Sequence, residues 1–118
     1  DPKRTDIMFI LARLFFDMGR LECAEQWYKE ILKQETNALV LNELGAICKL
    51  TCRPSEEVQY RKKAIETDPE NTDIFINYVL SVIRTGRVQD GVKLLEAHDI
   101  DMVQGHLFGI TCCDPPCN

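Results

Sequence analysis

The sequence predicts an all-α protein built from antiparallel helical hairpins that stack along the chain. One observation is a repeat: similar segments begin at Thr5, Ala38 and Thr72, which are 33 and 34 residues apart. A second is that each segment holds two stretches whose apolar residues recur three and four positions apart, the period of an amphipathic helix. A single hairpin cannot bury both apolar stripes, so stacking into an α-solenoid is needed to bury the rest.

The breaks between the stretches divide each segment into two helices. The first helices are predicted over residues 6–18, 38–50 and 73–85, and the second over residues 21–33, 54–66 and 88–98. Gly19 and Gly86 suit the left-handed conformation that closes a helix C-terminus, and Pro54 suits the first turn of a helix. Cys52 stands where the other segments have glycine. Because a left-handed backbone strains a residue with a Cβ, we expect the second hairpin turn to differ.

Two Asp-Pro pairs mark the repeat boundaries. Asp68-Pro69 lies between the second and third segments, where proline ends one helix and Asn71 offers a cap for the next. Asp1-Pro2 stands at the equivalent place ahead of the first segment. We therefore expect repeats at about residues 5–37, 38–71 and 72–104, and a first helix with a face that a preceding neighbour would cover.

Composition narrows the classes of function. The 118 residues carry a net charge of −5, which argues against nucleic acid as a partner because phosphate binding needs a cationic face. No apolar run approaches the roughly 20 residues of a membrane span, and the chain start has no signal-peptide pattern. These features predict a cytoplasmic protein whose six cysteines are reduced.

Small and apolar residues recur at matching positions of the three segments. In the first they are Leu11, Ala12, Phe15, Gly19, Leu21, Ala24, Tyr28, Ile31 and Leu32; in the second Leu44, Gly45, Ala64, Ile65, Asp68 and Pro69; in the third Tyr78, Val82, Gly86, Val88 and Leu95. This pattern resembles the tetratricopeptide repeat (TPR) family over about residues 5–104. The resemblance implies a right-handed superhelix. Glu57 and Gly91 depart from it, because the family prefers alanine at their positions.

The resemblance also implies a binding surface. In TPR arrays the first helices line a concave face that usually takes a partner's peptide. The predicted peptide-binding residues are Phe9, Arg13, Phe16, Asn42, Lys49, Asn77, Leu80 and Arg84. Their asparagine amides can pair with a peptide backbone, whereas burial of the apolar members by neighbouring repeats is an open alternative.

A known subgroup of the family clamps a C-terminal carboxylate with Lys, Asn, Asn, Lys and Arg. The equivalent positions in this chain are Phe9, Arg13, Glu43, Asp73 and Asn77. Only Arg13 is a cation there, and Asp73 would repel an acidic peptide. This mode of binding is therefore not expected.

No enzyme motif is present: a phosphate-binding glycine loop, a Gly-x-Ser-x-Gly turn and a His-Glu-x-x-His helix are all missing from the sequence. We therefore predict no catalysis and no cofactor. The segment 105–118 is predicted to be irregular. Within it, Cys113 and Cys117 resemble the first two cysteines of the radical-SAM iron–sulfur motif, but the third would fall beyond Asn118, so they are minor metal candidates.

The predicted function is a protein–protein interaction scaffold that binds a partner peptide or protein, with no nucleic acid or membrane partner. The alternative is the substrate-holding repeat portion of a larger enzyme, such as a glycosyltransferase, methyltransferase or radical-SAM protein. Self-association through the exposed ends of a short array is a third possibility.

Overall fold

A computed structural model describes residues 2–98, with side chains from residue 4 onward. Within this range the chain is all-helical, as predicted. The helices are α1 (Pro2–Asp17), α2 (Leu21–Leu32), α3 (Ala38–Leu50), α4 (Pro54–Thr67), α5 (Thr72–Arg84) and α6 (Val88–Ala97). The segment 105–118, with Cys113 and Cys117, lies outside the described residues.

Each helix packs against the next one along the chain. The pairs α1–α2, α3–α4 and α5–α6 form hairpins, and the contacts α2–α3 and α4–α5 join one hairpin to the next. The largest core cluster shows this arrangement, since it combines residues of the first hairpin with residues of α3. Its buried members are Met8, Ala12, Ala24, Tyr28, Ile31, Val40, Leu44 and Ile47. The apolar stripes are thus buried between hairpins as well as within them.

Asparagine caps begin two of the first helices. Asn37 Oδ1 accepts from the backbone N–H of Leu39 at 2.9 Å, and Asn71 Oδ1 accepts from Ile74 N–H at 3.1 Å. The first helix differs, because α1 begins at Pro2 rather than near residue 6. Proline suits the first turn of a helix, so α1 begins at Pro2, earlier than the repeat pattern predicts.

The three hairpin turns each contain one residue with a positive φ angle. The φ angles are +80° at Gly19, +57° at Cys52 and +87° at Gly86. The expectation of a different second turn was therefore wrong. The next residue explains it: Arg53 N–H donates to Cys48 C=O at 2.8 Å, as Arg20 N–H donates to a carbonyl at the end of α1 at 2.9 Å. These bonds satisfy carbonyls at the helix ends. Their formation requires a positive φ at Cys52, and the hydrogen bonding outweighs the strain of that conformation.

Gly91 has a packing reason to be glycine. A Cβ at this position would lie 2.6 Å from Ile83 Cγ1, which is closer than packed atoms allow. Helix α6 therefore approaches α5 through a glycine, and the departure from alanine at this position follows from that close contact.

The first helix exposes an apolar face. Ile7, Ile10, Leu14 and Met18 are each more than half exposed. The residues that match Ile7 and Leu14 one repeat later, Val40 and Ile47, are fully buried. Helix α2 packs against α3 there, whereas nothing in the described chain gives α1 the same cover.

Replacing Cys52 with glycine should stabilise the protein. The left-handed conformation costs a residue with a Cβ roughly 1–2 kcal/mol, and glycine removes that cost against its own greater chain entropy. We expect the free energy of unfolding in urea to rise by about 0.5–1 kcal/mol. Gly19→Ala is the matched control, because its Cβ would meet nothing within 4 Å. It should destabilise, and a rise for both variants would contradict the shared-turn interpretation.

Candidate functional site

The predicted peptide-binding residues lie on α1, α3 and α5, the first helices of the three hairpins. We call this side the first-helix face and define it by those eight residues. The structure brings them together in two groups. Phe9, Arg13 and Phe16 form one on α1, and Asn42, Asn77 and Arg84 form the other across α3 and α5.

Two aromatic rings of α1 are partly built into the core. The Phe9 ring meets Tyr28 edge to face with 5.7 Å between ring centroids. Phe16 packs against the same core cluster, and the Arg13 guanidinium lies 5.5 Å from its ring centroid. Both phenylalanines are half-buried, so each anchors α1 while part of its surface remains accessible.

Arg13 already has acidic partners. Its Nη1 donates to Glu43 Oε2 at 3.0 Å, and its Nε lies 3.6 Å from Asp17 Oδ1. The Glu43 contact links α1 to α3. Nearby, the buried Tyr28 hydroxyl has no hydrogen-bond partner among the residues that the structure describes. Burial, followed by the negative charge of Glu43, raises the pKa of Tyr28 to about 12.

The second group is joined by a polar network. Asn42 Oδ1 accepts from Arg61 Nη1 at 2.7 Å and from Asn77 Nδ2 at 3.4 Å. Glu57 Oε2 accepts from Arg61 Nε at 3.0 Å and from Arg84 Nη2 at 2.6 Å. Asn42, Asn77 and Arg84 were predicted as separate contacts for a partner, and the structure ties them to one another through α4.

Each asparagine of the network leaves one amide atom available. Within the described part of the chain, Asn42 Nδ2 and Asn77 Oδ1 take part in no hydrogen bond, and neither is a buried, unsatisfied atom. A peptide group needs one acceptor and one donor opposite it. The fixed side of each amide holds the free side in place, so the pair can meet a backbone N–H and C=O.

Leu80 and Lys49 complete the face. Leu80 is half-buried against the core cluster of Phe75, Ile76 and Val79. Lys49 is exposed on α3. The face thus combines apolar surface on α5 with a cation on α3.

Reasoning from the sequence missed Glu57 and Arg61 as the centre of this site. Both are buried, with 2% and 5% exposure. A signal was present: Glu57 stands where the first repeat has Ala24, and Arg61 follows four residues later on the same helix face. A carboxylate at a small-residue position needs a buried cation, and the spacing points to Arg61.

A second ionic cluster lies between α2 and the start of α4. Glu25 receives hydrogen bonds from Arg53 at 2.7 and 3.1 Å, and Lys29 Nζ lies 3.0 Å from Glu25 Oε2. The Arg53 guanidinium holds the pKa of Glu25 below its usual value, against the opposing effect of burial. This cluster connects the first and second hairpins.

Comparison with known proteins gives a distant similarity. No protein-family model matches the chain. Human Protein O-mannosyl-transferase TMTC1 is 28% identical over 87 residues, which cover 74% of this chain and 10% of that protein. The chain therefore spans about a tenth of the length of the curated relative it matches. Of the described helices, none is long and apolar enough to cross a membrane.

Replacing Glu57 with alanine should destabilise the fold strongly. The change leaves Arg61 as a buried, unpaired cation, and breaking a buried pair in this way costs about 3–5 kcal/mol. Urea denaturation followed by circular dichroism measures the loss. Glu66→Ala is the control on the same helix, because Glu66 is exposed, and it should change stability by less than about 0.5 kcal/mol. Equal effects of the two variants would refute the structural role of Glu57.

The Glu25 contact should make stability depend on pH. Because the folded pKa of Glu25 is lowered, its stabilisation is present above the unfolded pKa of about 4.3 and is lost as pH falls through the folded pKa. Glu25→Gln should lower the free energy of unfolding by about 1–2 kcal/mol at pH 7, and the difference should shrink in acid.

The exposed pair of Glu30 and Lys33 on the same helix supplies a control. Glu30→Gln should have little effect at any pH, since exposed ion pairs contribute about 0–1 kcal/mol. A pH-independent difference between wild type and Glu25→Gln would show that packing rather than ionisation makes the Glu25 contribution.

Proposed function

We propose that the chain is a TPR-like interaction module that binds an extended peptide of a partner protein on its first-helix face. In this proposal the three hairpins continue as a right-handed solenoid, the face is concave, and no chemistry takes place on it. The observation that carries the proposal is the asparagine pair, which offers a donor at Asn42 and an acceptor at Asn77 held by a buried ionic network.

The surroundings of the pair suit a peptide in β-like conformation. Such a peptide exposes backbone N–H and C=O groups to the asparagines, and its side chains alternate in direction. Leu80 offers apolar surface on one side, and the half-buried rings of Phe9 and Phe16 offer it on the other. Arg13 and Arg84 are neutralised by Glu43 and Glu57, so these two arginines do not select a strongly charged peptide.

A peptide library displayed on phage tests this function without a known partner. Peptides selected on the wild-type protein should shift the amide NMR signals of α1, α3 and α5. Asn77→Ala should weaken binding about tenfold, the effect of losing one or two hydrogen bonds from a desolvated site. Gln26→Ala removes an exposed amide from α2 and should leave binding unchanged. Shifts confined to α2, α4 and α6, or equal effects of both variants, would contradict the proposal.

A second candidate is that these repeats hold a protein substrate for an attached transferase. The similarity to a human protein named as an O-mannosyl-transferase favours it. The full-length gene product should then transfer mannose to a protein acceptor, and Asn77→Ala should raise KM for the acceptor without lowering kcat. A full-length product without transfer activity would leave only the binding module.

A further inference from the structure

The second helices carry two equivalent sets of positions, which we call the α2/α4 groove and the α4/α6 groove. The α2/α4 groove holds Glu25, Lys29 and Arg53. One repeat later the α4/α6 groove holds Val58, Lys62 and Arg87 at the matching positions, 33 or 34 residues further along the chain. The arginine is the N-cap of its helix in both grooves, and the cations are the same. The carboxylates differ: valine replaces Glu25, and Asp90 replaces Glu56, whose Oε2 lies 3.3 Å from Arg53 Nη1.

In the α2/α4 groove the cations bind the carboxylate of Glu25, a residue of the same chain. Arg53 binds both oxygens of Glu25, with Nη2 to Oε1 at 2.7 Å and Nη1 to Oε2 at 3.1 Å. Lys29 Nζ adds a contact at 3.0 Å. Two further hydrogen bonds fix the orientation of the guanidinium. Arg53 Nε donates to Thr51 Oγ1 at 2.9 Å, and that hydroxyl donates to Ile47 C=O at 2.8 Å. This is two-point recognition of a carboxylate by arginine.

The α4/α6 groove has an equivalent arginine with an equivalent hydrogen bond to threonine. Arg87 Nε donates to Thr85 Oγ1 at 3.2 Å, and that hydroxyl donates to Val82 C=O at 2.6 Å. The backbone angles also agree, with φ and ψ of −92° and 61° at Arg87 and −119° and 71° at Arg53. Over residues 4–98, neither Arg87 nor Lys62 forms an ion pair with a carboxylate. Val58 has no carboxylate to complete the cluster as Glu25 does.

The surroundings of these cations form a cavity of about 470 Å³, which is within the usual range of ligand pockets. Its apolar lining comes from Val58, Tyr78, Val82 and Leu94, and Lys93 adds a third cation opposite the single carboxylate of Asp90. The groove is thus locally cationic in a chain whose net charge is −5. None of the eight predicted peptide-binding residues lines it.

We propose that the α4/α6 groove binds an acidic side chain of a partner protein. The partner's glutamate or aspartate takes the place that Glu25 fills in the preceding groove, held by Arg87 and Lys62. An apolar residue beside it in the partner packs on Tyr78 and Leu94. The partner segment is helical in this proposal, because the groove lies between two second helices and accepts a third helix along the same direction.

The chemistry of the groove favours a carboxylate over a phosphate. The filled groove shows the geometry directly, since Arg53 and Lys29 bind a carboxylate with the same two residue types. Asp90 on the lining repels a group with two negative charges more strongly than one with a single charge. The apolar lining needs an adjoining hydrocarbon surface, which a side chain of an amphipathic helix supplies.

A labelled helical peptide that carries glutamates three and four residues apart beside leucines serves as the probe. Its twin with glutamine in place of glutamate is the peptide control. Fluorescence anisotropy should show that the glutamate peptide binds at least about tenfold more tightly than the twin, the effect of a charge-assisted hydrogen-bond pair. Arg87→Ala and Lys62→Ala should each remove about that factor.

Two further variants make the test specific. Lys63→Ala removes an exposed cation next to Lys62 that does not line the groove, so it should leave the affinity unchanged. Val58→Glu places a carboxylate where Glu25 stands one repeat earlier, and it should abolish peptide binding by occupying Arg87. Arg87 and Lys62 are exposed, so their alanine variants keep the fold. These two variants therefore test the proposal even if Val58→Glu does not fold.

Several results would overturn the proposal: equal binding of the glutamate and glutamine peptides, equal losses from Lys62→Ala and Lys63→Ala, or full affinity of Arg87→Ala. Binding to vesicles of anionic phospholipid without binding to the acidic peptide would also overturn it. Asn77→Ala should not affect this affinity, so failure here and failure of the first-helix face can be told apart.

Discussion

The carboxylate of Glu57 joins the second and third hairpins. Its Oε2 atom accepts from Arg61 within α4 and from Arg84 at the end of α5, and Arg61 in turn holds Asn42 of α3. A buried carboxylate is tolerated only when its charge is neutralised and its lone pairs are satisfied. That requirement fixes the positions of both arginines. The asparagine pair on the first-helix face inherits its orientation from this network.

Pairing with carboxylates also explains why the arginines of the first-helix face are less available to a ligand than their sequence positions indicate. Arg84 donates to Glu57, and Arg13 donates to Glu43. Each therefore links helices before it can meet a ligand. Apart from the exposed Lys49, what the face still offers is neutral: two half-satisfied amides and several half-buried apolar side chains. A neutral, extended peptide matches this surface better than a charged one does.

Much of the fold could be predicted from periodicity, because burial of an apolar stripe leaves a 3.6-residue signature in the sequence. The six helices and their order follow from it. The turn at Cys52 could not be predicted, since a local preference for glycine was outweighed by hydrogen bonds that only the folded hairpin makes. Glu57 and Arg61 were missed for a related reason: charged residues are ordinarily exposed, and their burial depends on partners from three helices. The α4/α6 groove could be recognised only by comparing two repeats. Val58 is an ordinary apolar residue, and its meaning emerges only when it is aligned with Glu25.

Two adjacent positions near the start of each second helix decide where the acidic charge goes. They are Ala24 and Glu25 in α2, Glu57 and Val58 in α4, and Gly91 and Val92 in α6.

Neighbouring residues on a helix point about 100° apart, so a shift by one position moves the carboxylate to a different side. In the first hairpin the acidic residue is Glu25, at the second of the two positions, and it pairs with Arg53 in the α2/α4 groove. In the second hairpin the acidic residue takes the first position and is buried against Arg61 and Arg84. The one-residue shift therefore has two results: it builds the network behind the asparagine pair, and it leaves Arg87 and Lys62 without the carboxylate that their counterparts hold.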